Sequence, residues 1–239
     1  MTEHFTLIYE YDYSQALVSR VSPMSQRTVF ICNPLDSALV CGSSQDITKL
    51  FTNGVPGVFR LVKRKSGGGV VLVAPLCQVW IDVFIPCEDP LYESDILKSP
   101  LWLGEIYRKV LSSFGVEGRI YEGRLVGEYA KLICFAGLGP GEVMASGTKM
   151  VGISQRRIKS GVWFYTMLPL GNSQEYLWDI FGEEKIANRL DLSQESTLKC
   201  ENTINSWVGG LGRTGGTTIF SAKDKWDIEK TFLEVFALL

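Results

Sequence analysis

Two segments of the 239-residue sequence combine cations with bare backbone in a way that suits an anionic ligand. The first reads Lys63-Arg64-Lys65-Ser66-Gly67-Gly68-Gly69-Val70-Val71. Three successive glycines between apolar stretches let the main chain pass close to a ligand and offer it N–H groups. The cations ahead of them supply positive potential where a carboxylate or phosphate would lie. A surface hairpin with solvated charges is the plain alternative, but three glycines cost more chain entropy than a turn requires. No Gly-Lys-Ser/Thr follows them, so this is not a Walker A loop. The second segment reads Thr148-Lys149-Met150-Val151-Gly152-Ile153-Ser154-Gln155-Arg156-Arg157. Lys149 opens a strand just after a turn, from where its ammonium can project over the end of a sheet into a cleft. An exposed lysine on a strand edge is the commoner fate of such a residue.

Other segments carry less. Gly210-Leu211-Gly212-Arg213-Thr214-Gly215 fits GxGxxG, but Thr217 to Phe220 reads as a strand where a dinucleotide site needs a helix, so we read a loop. Arg156, Arg157 and Lys159 suit a solvated turn or a contact with a carrier protein. The single histidine, His4, excludes most Ser-His-Asp, Cys-His and poly-His metal chemistry. Six cysteines without CxxC spacing sit mostly in apolar runs and read as reduced core residues of a cytoplasmic protein, with no metal site. With 24 basic against 26 acidic residues, nucleic acid is not expected as a partner. The longest apolar tract, Val70 to Pro86, is interrupted by Pro75, Gln78 and Asp82, and no membrane span is expected. The first ten residues lack the basic lead of a secretory leader.

These segments need a scaffold, and the pattern predicts one. Strands are expected at Arg27–Cys32, Ala38–Gly42, Val58–Lys63 and Val70–Val73, with Asn33-Pro34 as a turn and a short helix over Asp46–Phe51 ending at Asn53-Gly54. Pro100 to Phe114 is a helix whose Leu103, Ile106, Val110, Leu111 and Phe114 share a stripe, with Ser99 as N-cap and Gly115 as stop. Strands follow at Lys131–Phe135, Glu142–Met144, Met150–Ser154 and Val162–Leu168, with tight turns at Ser146-Gly147 and Lys159-Ser160-Gly161. Helices are expected over Gln174–Phe181 and Asp224–Leu238, with a glycine-rich stretch, Gly209–Gly216, between them. Strands first and helices later predict an α+β class with a mixed, largely antiparallel sheet. We read one domain over 1–239, with a helical elaboration from about Gly171.

Taken as a pair, the two segments resemble the biotin/lipoate protein ligase catalytic family, in particular its lipoate–protein ligase branch. That family carries an Arg-Arg-x-Ser/Thr-Gly-Gly-Gly/Arg-x-Val loop followed by Lys-x-x-Gly-x-Ala/Ser-Gln; here these are Lys63–Val71 and Lys149–Gln155. Ala38-Leu39-Val40-Cys41-Gly42-Ser43-Ser44-Gln45 is similar to the family's Val-Val-Leu-Gly-x-x-Gln stretch, and the likeness spans Arg27 to Leu170. The resemblance implies a fold of the class II synthetase/biotin ligase type. It also implies an ATP-dependent activation, with Mg²⁺, of lipoate or octanoate to an acyl-adenylate. The acyl group then passes to a lysine of a lipoyl carrier domain, either of a 2-oxoacid dehydrogenase E2 or of a glycine cleavage H protein. By the same likeness, Lys149 contacts the acyl carbonyl and α-phosphate. Arg64, Ser66, Gly67, Gly68, Gly69, Val70 and Gly152 line the acyl and adenylate site, and Ser154 lies beside the nucleotide. The chain departs from the pattern at Lys63, where the family has arginine, and at Val73-Ala74, where lipoate ligases often have His-Asp. The alternatives are an acyl-carrier-dependent transferase, against which stands the lack of a cysteine in Tyr165–Leu170, and a non-catalytic acyl- or carrier-binding homologue.

Overall fold

The structure, a computed structural model, describes residues 5–20, 24–51, 55, 57–171, 173–174, 176–181 and 219–239. Its large sheet has seven strands, β1 (Thr6–Asp12), β2 (Thr28–Pro34), β6 (Gln78–Pro86), β7 (Arg119–Ile120), β8 (Val143–Ala145), β9 (Thr148–Ile158) and β10 (Gly161–Pro169), in the order β1-β2-β6-β10-β9-β8-β7. Only the β1–β2 pairing is parallel. A small sheet of β3 (Ala38–Cys41), β4 (Arg60–Lys63) and β5 (Val71–Val73) has β3 in the middle, parallel to β4 and antiparallel to β5. The helices are α1 (Ser14–Ser19), α2 (Ile47–Leu50), α3 (Leu101–Ser113), α4 (Tyr176–Phe181) and α5 (Lys225–Phe236). The α+β class with a mixed, largely antiparallel sheet is what the structure has. No described helix is long and apolar enough to cross a membrane.

Alternation along the central strands sorts side chains onto two faces. The rear face, with Val29, Ile31, Val79, Ile81, Val83 and Phe164, packs against Leu103, Ile106, Tyr107, Val110 and Leu111 of α3 and Ile228, Phe232 and Phe236 of α5. The front face, with Phe30, Trp80, Phe84, Trp163 and Met167, packs against Leu17 and Val18 of α1 and Val40, Val62, Val71 and Val73 of the small sheet. Because both faces are covered, every residue of β6 is buried. Its sequence shows no alternation and reads only as an apolar tract.

The helical stripe and both hairpin turns of β8-β9-β10 lie where expected; Ser146 and Gly147 adopt φ of 51° and 76°. Four expectations are corrected. Asn33-Pro34 is not a turn but the end of β2, where Asn33 pairs with Tyr11. Ser99 does not cap α3: the N-cap position is Pro100, and the Ser99 hydroxyl is buried without a partner. Lys131–Phe135 forms a turn and a short 3-10 helix (Cys134–Ala136) rather than a strand, joined to the glycine segment by one parallel bridge between Val70 and Ile133. Gln174 lies ahead of α4, and its side-chain amide brackets Leu72, accepting from its N–H (3.2 Å) and donating to its carbonyl (2.8 Å). Asn53-Gly54, the Gly209–Gly216 stretch with its GxGxxG motif, and Cys200 lie outside the described residues.

Candidate active site

The glycine segment links β4 to β5 and folds back over the end of β3. Its position is fixed main chain to main chain. The Ser66 carbonyl accepts from Ser43 N–H, the Val70 N–H donates to Leu132, and the Val70 carbonyl accepts from Cys134 N–H, at 2.9, 2.7 and 2.9 Å. A side chain at Gly42 would land on the Gly68 carbonyl, and one at Gly69 would come within 2.6 Å of Ile133 backbone. Gly68 itself has φ +99°. Gly67 is different: no protein atom lies within 4 Å of where its Cβ would be. The N–H groups of Gly67, Gly68 and Gly69 donate to no atom of the described residues.

Arg64 is buried and spends its guanidinium on this loop. It donates to the carbonyls of Gly67 (2.8 Å), Gly69 (2.9 Å) and Val40 (3.2 Å). Its planar fork therefore shapes the loop by gathering carbonyls, which turns the neighbouring amides free. Lys63 donates to the Gln45 carbonyl at 2.9 Å. Gln45 ties Gly42 N–H to the carbonyls of Lys131 and Leu132, so that one side chain staples both edges of the loop.

Lys149 is 1% exposed, which sets aside the plain alternative of an exposed strand-edge lysine. β8 and β9 pair Met144 with Lys149 and then Val143 with Val151, leaving Met150 as an extra residue on β9. Such a bulge re-aims the adjoining side chain. The ammonium meets the Glu142 carboxylate (2.7 Å) and the carbonyls of Cys134 (2.9 Å) and Gly137 (3.0 Å), and lies 5.0 Å from the Phe135 ring centroid. Glu142 also accepts from Gly139 N–H (2.6 Å) and Ile153 N–H (3.0 Å). Burial still pushes its carboxyl above the usual range, against the pull of Lys149. Gly152 leaves room for this arrangement, since a Cβ there would meet Phe135 at 3.3 Å and the Lys149 Cε at 3.4 Å.

Two cavities adjoin these residues. An apolar slot between the two sheets is walled by Val18, Val40, Val71, Val73, Trp80 and Met167 among others. A second chamber is lined by Gly67, Gly68, Pro100, Glu142, Lys149 and Gln155. Cys134, Ile153 and Ser154 line both. Arg64 and Gly152 are on the slot side. Ser154 and Ser66 join hydroxyls across the junction at 2.9 Å. Val70 is fully buried, in the core cluster under the loop. The structure thus gathers the glycine loop, Lys149, Gly152 and Ser154 around two adjoining cavities with a shared wall. Arg156 and Arg157 are half-buried rather than in a solvated turn.

Cys134 and Glu142 bound a stretch that the family likeness places ahead of the lysine strand, but neither was given a role from the sequence. Cys134 lies in a continuous apolar run, and the pairing of Glu142 with Lys149 depends on a hairpin register. Among the described residues no group of three His, Cys, Asp or Glu side chains is placed to hold a metal ion, and both oxygens of Glu142 are taken. The chamber does not fit a protein-held Mg²⁺.

Residues 8–197 match the family described as the Lipoyl protein ligase A/B catalytic domain. The chain belongs to this family. Curated proteins provide no match. Solved structures of similar fold include Ta0514 of T. acidophilum with bound lipoic acid, at 15% identity and TM-score 0.54, over 99% of this chain and 95% of that one. Another is the bi-partite lipoate protein ligase of Thermoplasma acidophilum, reported with its E2 lipoyl domain, at 14% identity and TM-score 0.54 over 98% and 92%. Lipoate-protein ligase A bound with ATP follows at 13% identity and TM-score 0.50 over 99% and 94%. At these identities the likeness establishes a shared fold, and family membership rests on the sequence match.

Proposed function

We propose that the chain, acting as a single catalytic unit in the cytoplasm, is an ATP-dependent lipoate or octanoate protein ligase. It would modify a lysine of a lipoyl carrier domain, of the E2 or H-protein kind. The observation that supports this most is an apolar slot set directly beside a chamber walled by unpaired glycine amides and a buried ammonium. That shape suits a molecule with a hydrocarbon tail and an anionic head.

In this reading the acid's carboxylate attacks the α-phosphorus of ATP, and pyrophosphate leaves. Loop amides take the charge that builds on the carboxylate and phosphate oxygens, where preorganised donors act most strongly. Lys149 joins them by exchanging a carbonyl partner, Cys134 or Gly137, for a phosphate oxygen, while Glu142 keeps its ammonium in place. Ser66 and Ser154 sit beside the nucleotide. The carrier lysine's amine then attacks the acyl carbon, forming the amide and releasing AMP. The attacking amine belongs to the partner and the anhydride is already activated, so no imidazole is needed. Mg²⁺ would travel on the phosphates of ATP, as it commonly does. Val73 walls the slot where lipoate ligases often have histidine, which makes this position part of the tail's apolar lining.

Pyrophosphate release from ATP with lipoate or octanoate is the test, and its absence with both acids refutes the ligase reading. A second reading draws support from Cys134, a free cysteine at the junction of both cavities. Its thiol could take an acyl group from an acylated carrier protein, passing its proton to the departing thiol, and hand the acyl on to lysine. Acyl transfer without ATP, lost in Cys134→Ser, would favour that transferase.

A further inference from the structure

Three donor groups on one patch of the front face have no acceptor. The Tyr165 hydroxyl, the Trp163 indole N–H and one terminal nitrogen of Arg156 are all shut off from solvent and unpartnered. Tyr165 stands opposite Ser154, and Trp163 opposite Arg156, in alternate rungs of the β9–β10 ladder, on one face of the sheet. The Tyr165 and Trp163 rings are stacked at 6.2 Å with an interplanar angle of 11°. Asp82, the acid opposite Tyr165 on β6, is already committed: it accepts from Trp80 Nε1 (2.7 Å) and Arg20 (2.8 Å). A buried donor left unpaired is costly, and three together on one patch are unusual in a native protein.

Tyr165 lines the slot but not the chamber. It sits on β10, one strand further from the chamber than Ser154 of β9. Of the three, Tyr165 alone lines the slot, and we propose that it, with Trp163 stacked behind it, reads a hydrogen-bond acceptor in the tail of the acid, so that the slot selects medium-chain acids carrying a heteroatom in the tail over plain alkanoic acids. This rests on the ligase reading for the identity of the slot, and it decides between the two substrates that reading leaves together. Lipoate has sulfur in its tail, a weak acceptor, whereas octanoate has nothing for the donors to meet. A site built to bond a polar group rejects the analogue that lacks it, because its own donors then stay unpaired.

The test is titration of the protein with octanoate, 6-oxooctanoate and lipoate in the absence of ATP, followed by calorimetry. The first two acids share a chain length and differ by one acceptor. We expect 6-oxooctanoate to bind about ten-fold more tightly than octanoate, the worth of one buried hydrogen bond. Lipoate should lie on the same side. Tyr165→Phe, and separately Trp163→Phe, should bring the ratio toward one; because it compares two ligands on the same protein, a general loss of affinity does not imitate the result. Equal binding of octanoate and 6-oxooctanoate overturns the proposal, as a trapped water on the donors would produce. A preference that survives in both variants overturns it as well. Binding of none of the acids removes both this inference and the acyl-slot reading. A preference without pyrophosphate release on adding ATP refutes the ligase reading alone.

Discussion

A buried ammonium must be neutralised, and at Lys149 the neutralising group is Glu142, itself buried and bonded to two main-chain amides. Lys149→Ala is thus more than the loss of the cation proposed to meet the phosphate. It strands a carboxylate in the interior, and urea denaturation should show a stability loss of about 3–5 kcal/mol. Replacing both partners, Lys149→Met with Glu142→Gln, should recover most of that loss while leaving pyrophosphate release abolished. Asp82, beneath the slot, offers a pH signature. Burial pushes its carboxyl up to about 6 from the usual 3.8, more than Arg20 and Trp80 pull it down. The folded state therefore holds a proton that the unfolded chain releases, and stability falls as pH rises from about 4 to 6. Asp82→Asn should flatten that slope, by about 2–3 kcal/mol across the window, in denaturation series at fixed pH. The glycines and Lys149 were visible from their types and order. Their surroundings were not: an ion pair, a bulge at Met150 and a thiol at a cavity junction all depend on register, which residue types do not encode.

Among the elements, the glycine segment divides its residues by what constrains them. Gly42 and Gly69 abut backbone, and Gly68 holds a left-handed φ. Gly67 faces open space, so its lack of a side chain serves whatever enters the chamber. Gly67→Ala should leave the melting temperature within a few degrees and depress pyrophosphate release strongly. Gly42→Ala should lower stability by more than about 2 kcal/mol, because the Gly68 carbonyl must move. Thermal melts beside the activity assay separate the two. Elements were readable where local chemistry decides them. The stripe of α3, the Ser146-Gly147 turn and the helix from Lys225 each have a periodicity or a φ that one residue type favours. β6 was missed because both of its faces are covered. Lys131 to Phe135 was mistaken for a strand because it is mostly apolar, though it is held as a turn by Val70 on the facing loop.

At the level of the whole molecule, the sheet serves as a partition. Its rear carries α3 and α5, and its front carries the slot. The α5 helix is anchored at Lys225, which pairs with Glu229 and donates to Asn33 on β2 at 3.0 Å. Phe232, fully buried against Tyr107, is a direct apolar tie between α5 and α3. Phe232→Ala should cost about 3–5 kcal/mol in urea denaturation. Because the slot is built on the opposite side of the strands, the affinity of the remaining folded protein for the acids should change little.

The slot and the chamber have only Cys134, Ile153 and Ser154 in common. On the proposed function, recognition of the hydrocarbon and handling of the reactive end would fall to different walls, one made of side chains from two sheets and the other largely of bare main chain. Replacing Val71, Val73 or Met167 would therefore retune which acids are admitted while leaving the phosphate machinery as it is. A lineage, or an engineer, can change the cargo without rebuilding the tool.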